Sequence, residues 1–217
     1  MASSAAYGVW VPPDELNRTA HAHDAAMQEY YAHPATSCTA DLRNQMPACK
    51  QQGADWCWAT GLAEFSFYYN HSTGGAANCT AVECAVVSFD FKGMDCCPGG
   101  KIRCGGDGQS VSRIVTDASK FIGIPFMSLG GPPSEAQLVS LLQAGTPVMP
   151  IITWYKHGRP IGGHALMVSG CEPGPFGGVQ YYLHDPEGSK YEKVSFSRLM
   201  YYTLLSDGKW TDTVHAQ

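Results

Sequence analysis

Gln51-Gln52-Gly53-Ala54-Asp55-Trp56-Cys57-Trp58-Ala59 leads into an apolar, proline-free run that continues to Tyr69. A glutamine stands six positions before a cysteine, and the cysteine lies between two tryptophans. Trp58, Leu62, Phe65 and Tyr69 recur at helical spacing, and Asn70 to Gly75 read as a helix stop. The spacing predicts a buried helix over residues 56–69 with Cys57 in its first turn. Far downstream come Gly162-Gly163-His164-Ala165-Leu166-Met167-Val168 and then Tyr181-Tyr182-Leu183-His184-Asp185-Pro186. The order Gln, Cys, His, Asp is the set of residue types that thiol-based hydrolysis requires.

Each type has its own task. A cysteine is nucleophilic as its thiolate, which a helix N-terminus or a nearby imidazolium favours. His164 is the candidate base, expected at the start of a rigid strand over 164–171, after a loop over 156–161. Asp185 would accept the other ring N–H, fixing the tautomer and stabilising the imidazolium. A glutamine amide, from Gln51 or its neighbour Gln52, would join the Cys57 backbone N–H in binding an oxyanion. The rivals are plain. Cys57 alone could be a small buried hydrophobe, and Asp185 alone could cap a turn with Pro186. His157 competes with His164 but lies in a polar Lys-His-Gly-Arg-Pro stretch. His184 alternates with Asp185 and is expected on the opposite face of its strand.

The chain holds nine cysteines in 217 residues. With Cys57 set aside, an even number remains, which predicts four disulfides formed in an oxidising compartment. Sequence leaves their connectivity open among roughly a hundred pairings, although adjacent Cys96 and Cys97 are not expected to join each other. A zinc site on Cys96, Cys97 and Cys104 is the alternative, but no Cys-x2-Cys pair supports it. No cofactor or metal is expected.

The net charge is −5, with no basic block, so nucleic-acid binding is not expected. Apolar runs are short and interrupted, so no membrane span is expected. Three of the four asparagines begin glycosylation sequons, at Asn17, Asn70 and Asn78, which points to a secreted glycoprotein. The opening Met-Ala-Ser-Ser-Ala-Ala carries no legible signal peptide. The expectation is that one was cleaved before it or replaced by Met1.

Residues 1–13 read as a loose end, and Asp14 to Tyr31 as a helix ending at His33-Pro34. Residues 1–45 form an N-terminal extension, either a remnant pro-segment or a helix packed on the back of the fold; amphipathic stretches favour the second. A short element is expected over Cys84 to Phe91, then a helix opening at Asp107-Gly-Gln-Ser and ending at Gly123 and Pro125. Ser134-Glu-Ala-Gln137 is a capping box, and Gly145 a C-terminal glycine. Strands are expected at 147–155, 164–171, 178–185 and 190–196. The class is α+β: a disulfide-rich helical lobe over about 46–145, then an antiparallel sheet lobe over about 146–217, within one domain over 46–217. Cysteine and histidine would meet in the cleft between the lobes.

The pattern Gln-x5-Cys-Trp-Ala, then Gly-His-Ala, then Asp-Pro resembles the papain-like cysteine proteases. The form Trp-Cys-Trp-Ala with a downstream Cys96-Cys97 pair is most similar to compact secreted microbial members, including the Avr-type effector proteases of plant pathogens. The core order is also shared with bacteriocin-leader peptidases. The match spans roughly residues 47–205. The resemblance implies Gln51, rather than Gln52, as oxyanion donor, Cys57 as nucleophile, His164 as base and Asp185 as the orienting carboxylate. It implies a secreted, monomeric endopeptidase acting on protein or peptide substrates. Two rivals stand beside it. One is a thiol acyltransferase on the same site, such as a glutamine deamidase, transglutaminase or ligase. The other is a disulfide-rich binding or effector module without activity.

Overall fold

The computed structural model describes residues 9–10, 13–70, 78–105, 108–202 and 207–217. The chain begins with β1 (Val9–Trp10), α1 (Pro13–Ala32) and β2 (Ala40–Asp41). Three helices follow: α2 (Cys57–Asn70), α3 (Cys79–Asp90) and, after the short β3 (Gln109–Ser110), α4 (Val111–Ile122). Next come β4 (Phe126–Ser128) and α5 (Glu135–Gln143). The sheet strands are β5 (Val148–Lys156), β6 (Arg159–Ala165), β7 (Met167–Pro173), β8 (Val179–His184) and β9 (Tyr191–Val194), then α6 (Phe196–Met200) and β10 (Asp207–Ala216). The larger sheet runs β4-β10-β5-β7-β8-β9, with β6 also on β5 and β2 on β7. Every pairing in it is antiparallel. The α+β class expected from the sequence is the class observed.

Period-two alternation along β5 builds a core on each face of the sheet. Met149 and Ile151 join Trp56, Trp58, Leu62, Phe65, Ile114 and Val214 on the face covered by α2 and α4. Val148, Ile152 and Trp154 join Met27, Leu138, Leu142, Phe196 and Leu199 on the face covered by α1, α5 and α6. The sheet is therefore covered on both sides, which is why its central strands read as apolar runs.

Helix α2 is buried without interruption from Cys57 to Phe67. Its seat on the sheet is set by Gly61: a Cβ there would lie 2.5 Å from Met149 Cε and 3.1 Å from Met167 Sδ. The helix lies that close to β5 and β7 because one residue has no side chain. The expected helix ends are present elsewhere too. Ser134 and Gln137 form the reciprocal capping box of α5. Gly123 ends α4 in the left-handed region.

Several expectations need correction. Helix α3 begins five residues before Cys84, at Cys79. The cap of α4 is Ser110, which accepts from Arg113 N–H; Asp107 lies outside the described residues. The stretch 156–161 is not a loop. Lys156 pairs with Arg159 across a two-residue turn, and His157 and Gly158 both have positive φ, the geometry a tight hairpin demands. His164 therefore sits near the end of β6, not at the start of a strand. The expected strand 164–171 is two strands that break at Leu166. Strand β10 had no reading in the sequence. It is a buried central strand carrying polar residues whose partners are distant: Thr211 Oγ1 meets Thr153 Oγ1 at 2.7 Å and Thr213 Oγ1 donates to the Gly131 carbonyl at 2.9 Å.

Four disulfides join Cys38–Cys171, Cys49–Cys79, Cys84–Cys97 and Cys96–Cys104, leaving Cys57 as the one free thiol. The count and the separation of Cys96 from Cys97 match the expectation. Cys38–Cys171 spans 133 residues and ties the chain ahead of β2 to the sheet. Cys49–Cys79 ties the segment before α2 to the first turn of α3. Among the described residues, no helix is long and apolar enough to cross a membrane.

Gly61→Val should drive the α2–sheet contact apart and lower stability by about 1–3 kcal/mol. Denaturant unfolding with disulfides intact reads this directly; an unchanged midpoint would contradict the close seating.

Candidate active site

Cys57 is the first residue of α2 and is almost wholly buried. The first N–H groups of a helix lack intrahelical partners and favour negative charge. Its Sγ also accepts the Ala165 backbone N–H at 3.4 Å, so the sulfur is anchored to the end of β6. His164, the residue before, is buried beside it and its imidazole interacts with the Cys57 sulfur.

Strand register brings in the carboxylate. Met167 pairs with His184 and Val168 with Leu183, so the chain leaving β8 passes alongside the β6–β7 break. Asp185 Oδ1 lies 2.8 Å from His164 Nε2. That contact takes one ring nitrogen and leaves Nδ1 for the sulfur. Asp185 is itself held twice more, by the Tyr202 hydroxyl donating to Oδ2 at 2.5 Å and the Glu187 N–H donating to Oδ1 at 2.9 Å.

The electrostatics follow from these contacts. Burial lowers the His164 pKa, but the Cys57 charge and the Asp185 hydrogen bond outweigh it and carry the imidazole up to about 10. Burial raises the Asp185 carboxyl, and the His164, Tyr202 and Glu187 donors overcome that, bringing it to about 2. The contacts around the pair favour the charged imidazolium on His164 and the ionised carboxylate on Asp185.

Gln51 sits between these parts. Its backbone N–H donates to the Pro186 carbonyl at 2.8 Å, joining its segment to the residue after Asp185. Its side-chain Nε2 donates to the Ala54 carbonyl at 3.1 Å, which fixes the donor end of the amide and leaves a second N–H. The rival Gln52 folds its amide back onto the Lys50 carbonyl at 2.8 Å and is exposed. His157 lies exposed at the hairpin tip. His184 is buried away from Cys57, with Nδ1 2.6 Å from Glu64 Oε1.

Three polar residues around the site had no place in the sequence reading. Tyr202 and Glu83 carry no local signal. Glu64 carries one, as a charged residue inside an otherwise apolar helix. Burial raises the Glu64 carboxyl, and it pushes Glu83 up to about 7. Among the described residues, no cluster of His, Cys, Asp and Glu could hold a metal ion.

A family model described as papain-like cysteine protease AvrRpt2 matches residues 37–202. The chain belongs to this family of papain-like cysteine proteases. No curated protein matches it. A solved structure of a C39-like peptidase from Bacillus anthracis aligns with a TM-score of 0.54 at 17% identity, covering 82% of this chain and 97% of that one. At that identity the likeness shows a shared fold. This papain-like protease thus has the class of fold and the enzyme type that the motif resemblance implied.

Asp185→Asn should reveal the carboxylate's part in stability. The folded pKa of Asp185 lies near 2, below its ordinary value of 3.8, so its contribution is complete above about pH 4 and vanishes as pH falls through 2. The melting-temperature gap between wild type and Asp185→Asn should therefore be wide at pH 5 and close toward pH 2, measured by calorimetry. A gap of constant width would refute the depressed carboxylate.

Proposed function

We propose that this protein is a cysteine endopeptidase in which Cys57, His164, Asp185 and Gln51 carry the chemistry. The observation that carries the reading is the free thiol at the start of a buried helix, beside an imidazole whose far nitrogen is bonded to Asp185.

The Cys57 thiolate attacks the carbonyl carbon of a peptide bond. Negative charge moves to the carbonyl oxygen, where the Cys57 N–H and the second Gln51 amide N–H stabilise it. His164 Nδ1 gives its proton to the leaving nitrogen, the C–N bond breaks, and a thioester remains on Cys57. Water then gives a proton to His164 as its oxygen attacks the thioester, and the acid product departs with the sulfur restored. Asp185 keeps the imidazole oriented and charged when required. Tyr202 and Glu187 hold Asp185 in turn.

Four disulfides support a protein that works in an oxidising, extracellular setting. The three sequons support the same reading. Its substrate class is protein or peptide, in keeping with the family.

Digestion of a peptide library read by mass spectrometry tests the reaction. Cleaved bonds are expected; a gain of about 1 Da at glutamine without cleavage would make the protein a deamidase instead. Cys57→Ala should lower kcat/KM by about 10⁴-fold or more while leaving the melting temperature close to wild type. Surviving hydrolysis would move the nucleophile elsewhere.

A further inference from the structure

The segment Cys49–Gln52 precedes α2 and belongs to no helix or strand. Its backbone donors therefore have no ladder to satisfy them. They are nevertheless held at three points. Cys49 N–H donates to Glu64 Oε1 at 2.9 Å, Gln51 N–H to the Pro186 carbonyl at 2.8 Å, and Gln52 N–H to Glu83 Oε1 at 2.9 Å. The points come from three directions: α2, the turn after β8, and α3.

Glu83 is the unexpected member. It is fully buried on α3, beside the Thr60 hydroxyl and the Glu64 carboxyl of α2 and among apolar side chains. Placing a carboxyl there costs free energy that an apolar residue of similar size would avoid. One backbone hydrogen bond, to the residue directly after Gln51, is what the carboxyl supplies to that segment. The Cys49–Cys79 bridge already secures the start of the segment to α3, and Glu83 lies one helical turn along from Cys79. Together they hold both ends of the stretch that bears Gln51.

We infer that Glu83 is a positioning residue for the oxyanion donor: by holding Gln52 N–H it keeps the Gln51 amide in place beside Cys57 before substrate arrives. The inference rests on the endopeptidase reading above. Pre-set donors act without reorganisation as charge develops, and a displacement of about 1 Å can cost about 10²-fold in rate.

The test separates oxyanion binding from sulfur reactivity in the full-length chain. The thiolate attacks the methylene carbon of iodoacetamide and expels iodide, a displacement that places no charge on a carbonyl oxygen. A peptide aldehyde adds to the sulfur and places its oxygen where the oxyanion forms. Glu83→Gln keeps an oxygen that can accept from Gln52, and Glu83→Met has none. Glu83→Met should lose about 100-fold in kcat, with KM nearly unchanged and aldehyde affinity falling in parallel. Its rate of Cys57 alkylation should stay within about twofold of wild type, and Glu83→Gln should behave like wild type throughout. Should Glu83→Met not fold, Glu83→Asp withdraws the oxygen by one methylene and is expected to show the same split. Full kcat in the oxygen-withdrawn variant, or alkylation that falls in step with kcat, overturns the inference. A wild-type chain that alkylates yet neither cleaves peptides nor binds the aldehyde overturns the endopeptidase reading instead, and this one with it.

Discussion

The seating of α2 on the sheet is the contact on which the site depends. Its buried length, the absence of a side chain at Gly61 and the methionines beneath it bring the helix start against the end of β6. There the Cys57 sulfur meets the Ala165 N–H, and His164 is one residue away. Apolar burial supplies the driving force for this approach, at about 25 cal/mol per Å² of surface removed from water. The polar contacts decide the alignment. A shift of the helix by a fraction of its pitch would leave the apolar core largely filled and still part the sulfur from the imidazole.

Buried charge around the site is arranged in connected sets. Cys57, His164 and Asp185 form one, and Tyr202 and Glu187 complete the coordination of its carboxylate. Glu64 and His184 form another behind it, and Glu64 also reaches the segment that carries Gln51. Neighbouring residues on β8 and beyond thus serve opposite faces: His184 faces α2, and Asp185 faces β6. Removing one member of such a set leaves its partner buried without compensation, so these residues act as groups rather than as independent contacts.

Much of the site was legible because its signals are local. Glutamine, cysteine and tryptophan lie within one short stretch, and an apolar run with helical spacing places Cys57 at a helix start. Odd-cysteine arithmetic leaves one thiol over. The capping box of α5 and the glycine after α4 are likewise readable, since each uses residues within a turn of one another. Strand β10 was not legible, because its buried threonines and aspartate look like solvent-facing residues until their distant partners are known. The hairpin at His157-Gly158 was missed because a polar stretch can be either a loop or a tight turn. The four cysteine pairings depend on which Cα atoms the fold brings within reach.

The sequence alone determined the kinds of chemistry available: one spare thiol, an imidazole, a carboxylate and an amide, each in a context suited to its task. It also determined the main helices of the first lobe and the α+β class, since backbone periodicity is a short-range property. Tertiary structure decided which nitrogen of His164 meets Asp185, which carbonyls the Gln51 and Gln52 amides reach, and which carboxylates hold the loop before α2. Those choices rest on side chains far apart along the chain meeting within 3 Å or so in a medium that excludes water, where hydrogen-bond geometry is set by packing.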